Sequence, residues 1–111
     1  MKIQHEDAGE VTVIRLNGKL MGGPDAETFQ KLVKDLVGRD RKKILVDMGK
    51  VSWVNSTGLG ILISGYTTLK NAGGAFKLTG VNKRIDQIFM VTKLHSIFEA
   101  FEEESAALES F

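Results

Sequence analysis

The chain has 111 residues, 42% of them apolar and 26% charged, which predicts one compact domain over residues 1–111 with a single hydrophobic core. Fifteen basic and fourteen acidic residues leave a formal charge of +1, so no overall field draws it to nucleic acid or an anionic membrane. There is no cysteine, which excludes disulfides, thiolate metal sites and cysteine nucleophiles.

The opening MKIQHEDAGE carries no apolar leader region, and no run of about eighteen apolar residues follows, so a soluble, cytoplasmic protein is expected. KIQHE, a DAG turn and EVTVIRLNG predict an antiparallel hairpin. LMGGP is a loop of turn residues. PDAETFQKLVKDLVG then opens on Pro24 and Asp25, the latter read as a cap, and repeats apolar residues at Phe29, Leu32, Val33, Leu36 and Val37 before Gly38. That spacing is helical. The basic run Arg39, Arg41, Lys42 and Lys43 includes Asp40 and precedes a strand, which suits a solvated loop.

Ile44, Leu45 and Val46 are consecutive, as in a strand covered on both faces, and DMGKVSWV reads as the loop after it. A second helix runs to about Asn71, with Leu59, Leu62, Ile63, Tyr66 and Leu69 as its inward stripe and NAGG as its end. AFKLTG is a short strand. NKRIDQIFMVTK is a third helix capped by Asn82, and a brief strand at Ile97 and Phe98 leads into an acidic terminal helix. The alternation predicts an α/β fold: a small, mostly parallel sheet with an N-terminal antiparallel hairpin, flanked by about four helices.

VNSTGLGIL, Val54–Leu62, is the stretch that carries chemistry. Asn55, Ser56 and Thr57 stand at a helix start, where a side-chain oxygen satisfies one of the unpaired amide donors. A plain cap would not need Gly58 and Gly60, which weaken the first turn and bare its backbone to another chain. Gly60, Ile61, Ser64 and Thr68 fall opposite the inward stripe, forming a small, uncharged face suited to a partner. A nucleophilic Ser56 lacks the G-x-S-x-G context and a placed base, His95 being the better of two distant histidines. GLGILISG matches neither glycine-rich phosphate cradle. His5 and His95 show no ligand spacing, so neither metal nor cofactor is expected. A modified hydroxyl is the third reading. Phosphate at a helix N-terminus meets free amides and the positive end of the dipole, while adding roughly −1.5 to −2 charge to a neutral face.

Asn55-Ser56-Thr57-Gly58-Leu59-Gly60 resembles the Asp-Ser-[Ser/Thr]-Gly-Leu-Gly pattern of STAS-domain anti-sigma factor antagonists. ILVDM, GGAFKLTGVN and IFMVTKL are similar to that family as well, and the likeness covers nearly the whole chain. It implies a phosphorylatable binding module, not an enzyme. Unphosphorylated, it would hold an anti-sigma factor that is also a GHKL-type serine kinase. Phosphorylation at Ser56 would release it, and a metal-dependent serine phosphatase would reset it. Asn55, Thr57, Gly58, Gly60, Ile61, Ser64 and Thr68 would be motif and contact residues, with neither nucleic acid nor membrane as direct partner. Asn55 departs from the family's usual aspartate. The alternative is a STAS-type accessory subunit of a transporter, biofilm or secretion system that is never phosphorylated. A small-molecule or nucleotide-binding STAS protein is a third.

Overall fold

The computed structural model describes residues 1–111. Its elements are β1 (Lys2–Ala8), β2 (Val11–Leu20), α1 (Pro24–Gly38), β3 (Lys43–Val54), α2 (Ser56–Asn71), β4 (Ala75–Thr79), α3 (Lys83–Val91), a 3-10 turn (Leu94–Ser96), β5 (Glu99–Phe101) and α4 (Glu104–Glu109). The five strands lie in chain order. β1 pairs antiparallel with β2, and all later neighbours are parallel. This is the predicted mixed sheet with its N-terminal hairpin.

The two faces of the sheet are covered unequally. Twenty-one buried residues, including Phe29 and Leu36 of α1, Leu62 and Leu69 of α2 and Phe89 of α3, form one cluster, so the larger helices share one face. Only Val11, Val13, Leu45 and Ala107 form the cluster on the other, beneath α4. That thin layer is pinned by cations. Arg15 donates to Asp47 at 2.8 Å and to Glu104 at 2.7 Å, and also to Glu6, tying β1, β2, β3 and α4 together. Hydrogen bonds to Glu104 and then Glu6, with a lesser one to Asp47, hold the guanidinium proton still more firmly than usual and outweigh the opposing effect of burial. Buried Lys77 donates to the Ser110 carbonyl at 2.8 Å and lies 4.8 Å from the centroid of the Phe111 ring.

Three features differ from the sequence reading. β3 continues through DMGKVSWV to Val54, because Met48, Val51 and Val54 are all buried against the helices. Register shifts opposite Arg15–Asn17 and Gly18–Lys19 absorb the break that Gly49 and Lys50 make in its apolar pattern. Asp25 does not cap α1. Gly23 holds the N-cap position at φ 70°, Pro24 follows it, and Asp25 faces the amino terminus at 3.7 Å. Ile97 and Phe98 are not a strand. Phe98 turns into the core, 5.5 Å from Phe89 and 5.9 Å from Tyr66 between ring centroids, and the strand begins at Glu99.

The basic run is the expected surface connection, and its cations form ion pairs there. Arg39 meets Asp35, Arg41 meets Asp7, Lys42 meets Asp40 and Lys43 meets Glu10. The Lys43 hydrogen bond and charge hold the Glu10 carboxyl below its ordinary range. Each cation of the run is locally matched, so it forms no open anion-binding patch.

Candidate functional site

The site forms where β2 and β3 end together. Leu20 of β2 sits beside Val54 of β3 in the parallel register, and α2 starts two residues later. Asn55 is its N-cap in extended backbone. Its Oδ1 accepts from the Gly58 amide at 2.8 Å, and its carbonyl accepts from the Leu59 amide at 2.9 Å. The other half of the Asn55 amide is also used: Nδ2 donates to the Met21 carbonyl at 3.2 Å. These two bonds fix which way the amide points, and together they bind the β2–α1 loop to the first turn of α2.

The two adjacent hydroxyls are both on exposed residues and neither takes a hydrogen bond, so what separates them is the Thr57 methyl. Thr57 is anchored, since its methyl lies against Gly22, where an added Cβ would come within 2.5 Å of Thr57 Cγ2. Gly22 holds φ 98° and Gly23 holds φ 70°, both in the left-handed region glycine favours. Ser56 is exposed, and no hydrogen bond engages its side chain. It is the first residue of α2. Asn55 takes up the Gly58 and Leu59 amides, which leaves those of Ser56 and Thr57 as the unfilled donors of the helix start. No acidic residue stands in that first turn.

The predicted contact face needs two corrections. Ile61 is not on it. It is 3% exposed and belongs to the main core, whereas Ile63, assigned to the inward stripe, is on the outside. The buried arc runs through Gly58, Leu59, Ile61, Leu62, Gly65 and Leu69, and two of those six are glycines without hydropathy signal. Gly58 also has a reason other than a partner. A Cβ there would lie 1.9 Å from the Leu20 carbonyl oxygen, so its bareness lets α2 seat on the end of β2. Gly65 does the same against the rings of Phe29 and Phe76, each 2.9 Å from a Cβ placed there.

Gly60 keeps its predicted place, exposed, with nothing within 4 Å of an added Cβ. Ser64 and Thr68 are half-buried at the flank facing α1. Gln30 donates to Ser64 Oγ at 3.1 Å, and Thr68 donates to the Ser64 carbonyl at 2.9 Å. The outer face is thus Ser56, Thr57, Gly60, Ile63 and Thr67, uncharged until Lys70. Met21, 45% exposed, joins its rim. Sequence reasoning assigned nothing to Met21 or Gly22. The double glycine after Met21 was the one local sign, and their link to Asn55 and Thr57 is tertiary.

The STAS domain family model matches residues 2–107. This chain belongs to the STAS domain family. Among its relatives, a Thermotoga neapolitana protein provisionally named an anti-sigma factor antagonist is 29% identical over 90% of this chain and 89% of its own. The anti-sigma-B factor antagonist of Bacillus subtilis is 34% identical, over 56% of this chain and 54% of its own. The STAS fold is seen again in the crystal structure of a Thermotoga maritima protein of the same provisional name. It has a TM-score of 0.88 at 23% identity, over 97% of this chain and 92% of that one. SpoIIAA in its phosphorylated form, from Bacillus, superposes with a TM-score of 0.77 at 20% identity, over 99% and 100%. A STAS-like region is also present in the murine anion transporter Slc26a9, with a TM-score of 0.63 at 19% identity over 77% of this chain and 14% of that one. The fold therefore serves more than one kind of protein, and a role is set by the face around Ser56 and not by the fold.

Asn55 permits a direct test of the cap. Asn55→Asp keeps an acceptor for the Gly58 amide and adds a favourable charge at the helix start, but turns a second acceptor on the Met21 carbonyl. The helix gain of about 0.3–1 kcal/mol roughly offsets the lost hydrogen bond of about 0.5–1.5 kcal/mol. Urea denaturation is expected to show a change below about 1 kcal/mol, while hydrogen exchange at Met21–Gly23 speeds up. A variant that unfolds outright would show that the Met21 tie bears more than this balance assigns it.

Proposed function

We propose that this STAS chain is a cytoplasmic anti-sigma factor antagonist, acting as a single module across residues 1–111. It is a binder and a kinase substrate, not an enzyme. Unphosphorylated, it holds an anti-sigma factor that is a GHKL-type serine kinase. The kinase transfers the γ-phosphoryl group of ATP to Ser56 Oγ: the new O–P bond forms, the bond to the ADP oxygen breaks, and the serine proton passes to a base of the kinase. A metal-dependent serine phosphatase restores the hydroxyl. Asn55, Thr57, Gly60, Ser64 and Thr68 serve this reading as cap, rim and contacts, and Gly58 as the packing residue that sets the helix in place.

The observation that carries the reading is the helix start itself: Ser56 Oγ is exposed and unbonded beside the free amides of Ser56 and Thr57, whereas Thr57, also exposed and unbonded at its hydroxyl, has its methyl held against Gly22. Incubation with the serine kinase of the same cell and ATP is expected to add one phosphate by intact mass. Peptide mapping should place it on Ser56, and Ser56→Ala should take up none. Phosphate on Thr57 in the unsubstituted chain, or none anywhere, would sink this proposal.

A further inference from the structure

Of the large apolar side chains left exposed, Met90, Val91 and Ile97 lie on α3 or just after it, Val91 at 84% exposure. α3 meets the core through Ile85 and Phe89. Beside them Ile88 packs partly against the same core, and with exposed Arg84, Gln87 and Val91 it makes one helical stripe. With Thr92 and with Trp53 of β3, that stripe lines an apolar groove of about 370 Å³. Val91 is the large apolar side chain this groove leaves exposed, and Met90 and Ile97 lie outside its lining.

One charged group sits in this groove. The Arg84 guanidinium carbon lies 5.7 Å from the centroid of the Trp53 ring, and Arg84 enters none of the ion pairs that occupy Arg15, Arg39 and Arg41. The acid nearest in sequence, Asp86, lines a different hollow with Lys83 and Glu102. The complement of an apolar groove holding an unpaired guanidinium is a bulky apolar side chain with a carboxylate beside it. Tryptophan and arginine together are also the residues on which binding energy concentrates at protein interfaces.

The groove borders the end of the strand that leads to the Ser56 face. Trp53 lies two residues before the Asn55 cap, and Asn82, which caps α3, donates to the Val51 carbonyl at 3.1 Å. α3 is thus fastened to the segment of β3 that leads into Ser56. We propose that the Trp53–Arg84–Val91 groove is a second docking point for the partner of the Ser56 face. It takes an acidic, amphipathic segment of the anti-sigma factor, with a carboxylate on Arg84 and an apolar side chain between Trp53 and Val91. This rests on the reading of Ser56 given above, and it predicts that affinity is shared between a contact phosphate removes and one it does not touch.

Trp53 is the single tryptophan of the chain. Labelled with 5-fluorotryptophan, the protein gives one fluorine resonance, from the groove, and the Arg84 and Val91 variants separate binding there from binding at Ser56. Titration with the purified anti-sigma factor is expected to shift that resonance. Arg84→Glu and Val91→Glu, at exposed positions and checked for folding by circular dichroism, are each expected to weaken the complex at least tenfold. A complex of unchanged affinity in both variants, or an unmoved resonance, overturns the groove and leaves the Ser56 reading intact. Weakened variants alongside a tight Ser56→Asp complex support the groove and overturn the phosphate switch. No complex with the unsubstituted chain overturns both. A resonance that shifts with the chain's own concentration makes a second copy the occupant and overturns the proposal.

Discussion

Gly58→Ala is expected to destabilise the fold by about 3 kcal/mol, the upper end of what overpacking ordinarily costs. The added methyl would lie 1.9 Å from the Leu20 carbonyl oxygen and 2.8 Å from its carbon. Those are backbone atoms, and they have little freedom to retreat. Leu20 is fully buried, aligned with Val54 across the sheet, and its carbonyl also receives the Asn55 amide at 3.4 Å. Relief therefore requires α2 to lift off β2, which would strain the Asn55 cap and the Met21 tie together. Gly60→Ala, two residues on, is the control. Its Cβ meets nothing, so helix propensity should raise stability by roughly 0.5–1 kcal/mol. Urea midpoints at constant m-value would check both. Equal effects would mean that the close approach of Gly58 to Leu20 is not what sets α2 in place.

The same pair of glycines shows where sequence pattern stops being informative. Both stood out as departures from a good helix, and both invited a reading as bare backbone for a partner. Only Gly60 is open. Whether a glycine faces a neighbouring strand or solvent depends on tertiary placement, which its lack of a side chain conceals. Gly58 and Gly65 contribute nothing to an apolar count, so the apparent stripe swung toward Ile63 and Tyr66, and Ile61 fell on the wrong side.

Elements with their own chemical punctuation were legible. Pro24 and Gly38 bound α1 and Asn82 opens α3, while the first hairpin turns at Gly9 and Glu10, Asp7 and Ala8 of the expected DAG turn being paired in β1. β3 was cut short in the reading because Asp47, Gly49 and Lys50 interrupt its hydropathy. Asp47 is retained there by Arg15, another contact between distant parts of the chain. At the site, helix-cap logic set Asn55, Ser56 and Thr57 at a helix start, and the family pattern singled out Ser56. The loop Met21–Gly23 could not be inferred, because it is joined by one amide bond across 34 residues and one methyl contact. Asn55 and Asn82 share a device here. Each caps a helix with its oxygen and holds a distant carbonyl with its nitrogen, which an ionised aspartate cannot do.

Ser56→Asp is expected to leave the fold as stable as before, or slightly more so, and yet to weaken the anti-sigma factor complex about 100-fold. The two effects have opposite sign because the same carboxylate meets two environments. Toward its own chain it faces the free amides of Ser56 and Thr57 and the positive end of α2, worth about 0.3–1 kcal/mol of stabilisation. Toward a partner it stands on a face with no cation until Lys70, and closing that interface strips its water without supplying a counter-charge. A 100-fold loss corresponds to about 2.8 kcal/mol, modest beside the several kcal/mol that desolvating an unpaired ion costs. Ser56→Ala, which removes the hydroxyl and adds no charge, should bind within about threefold of the unsubstituted chain, less than 1 kcal/mol. Salt distinguishes the two sources of the loss. If desolvation dominates, raising ionic strength leaves the Ser56→Asp complex weak, whereas repulsion by acidic groups of the partner would be screened and affinity would recover. Calorimetric titration of the three proteins at low and high salt, beside their urea midpoints, makes the comparison. Should Ser56→Asp bind as tightly as Ser56→Ala, charge at this position would not be what releases the partner.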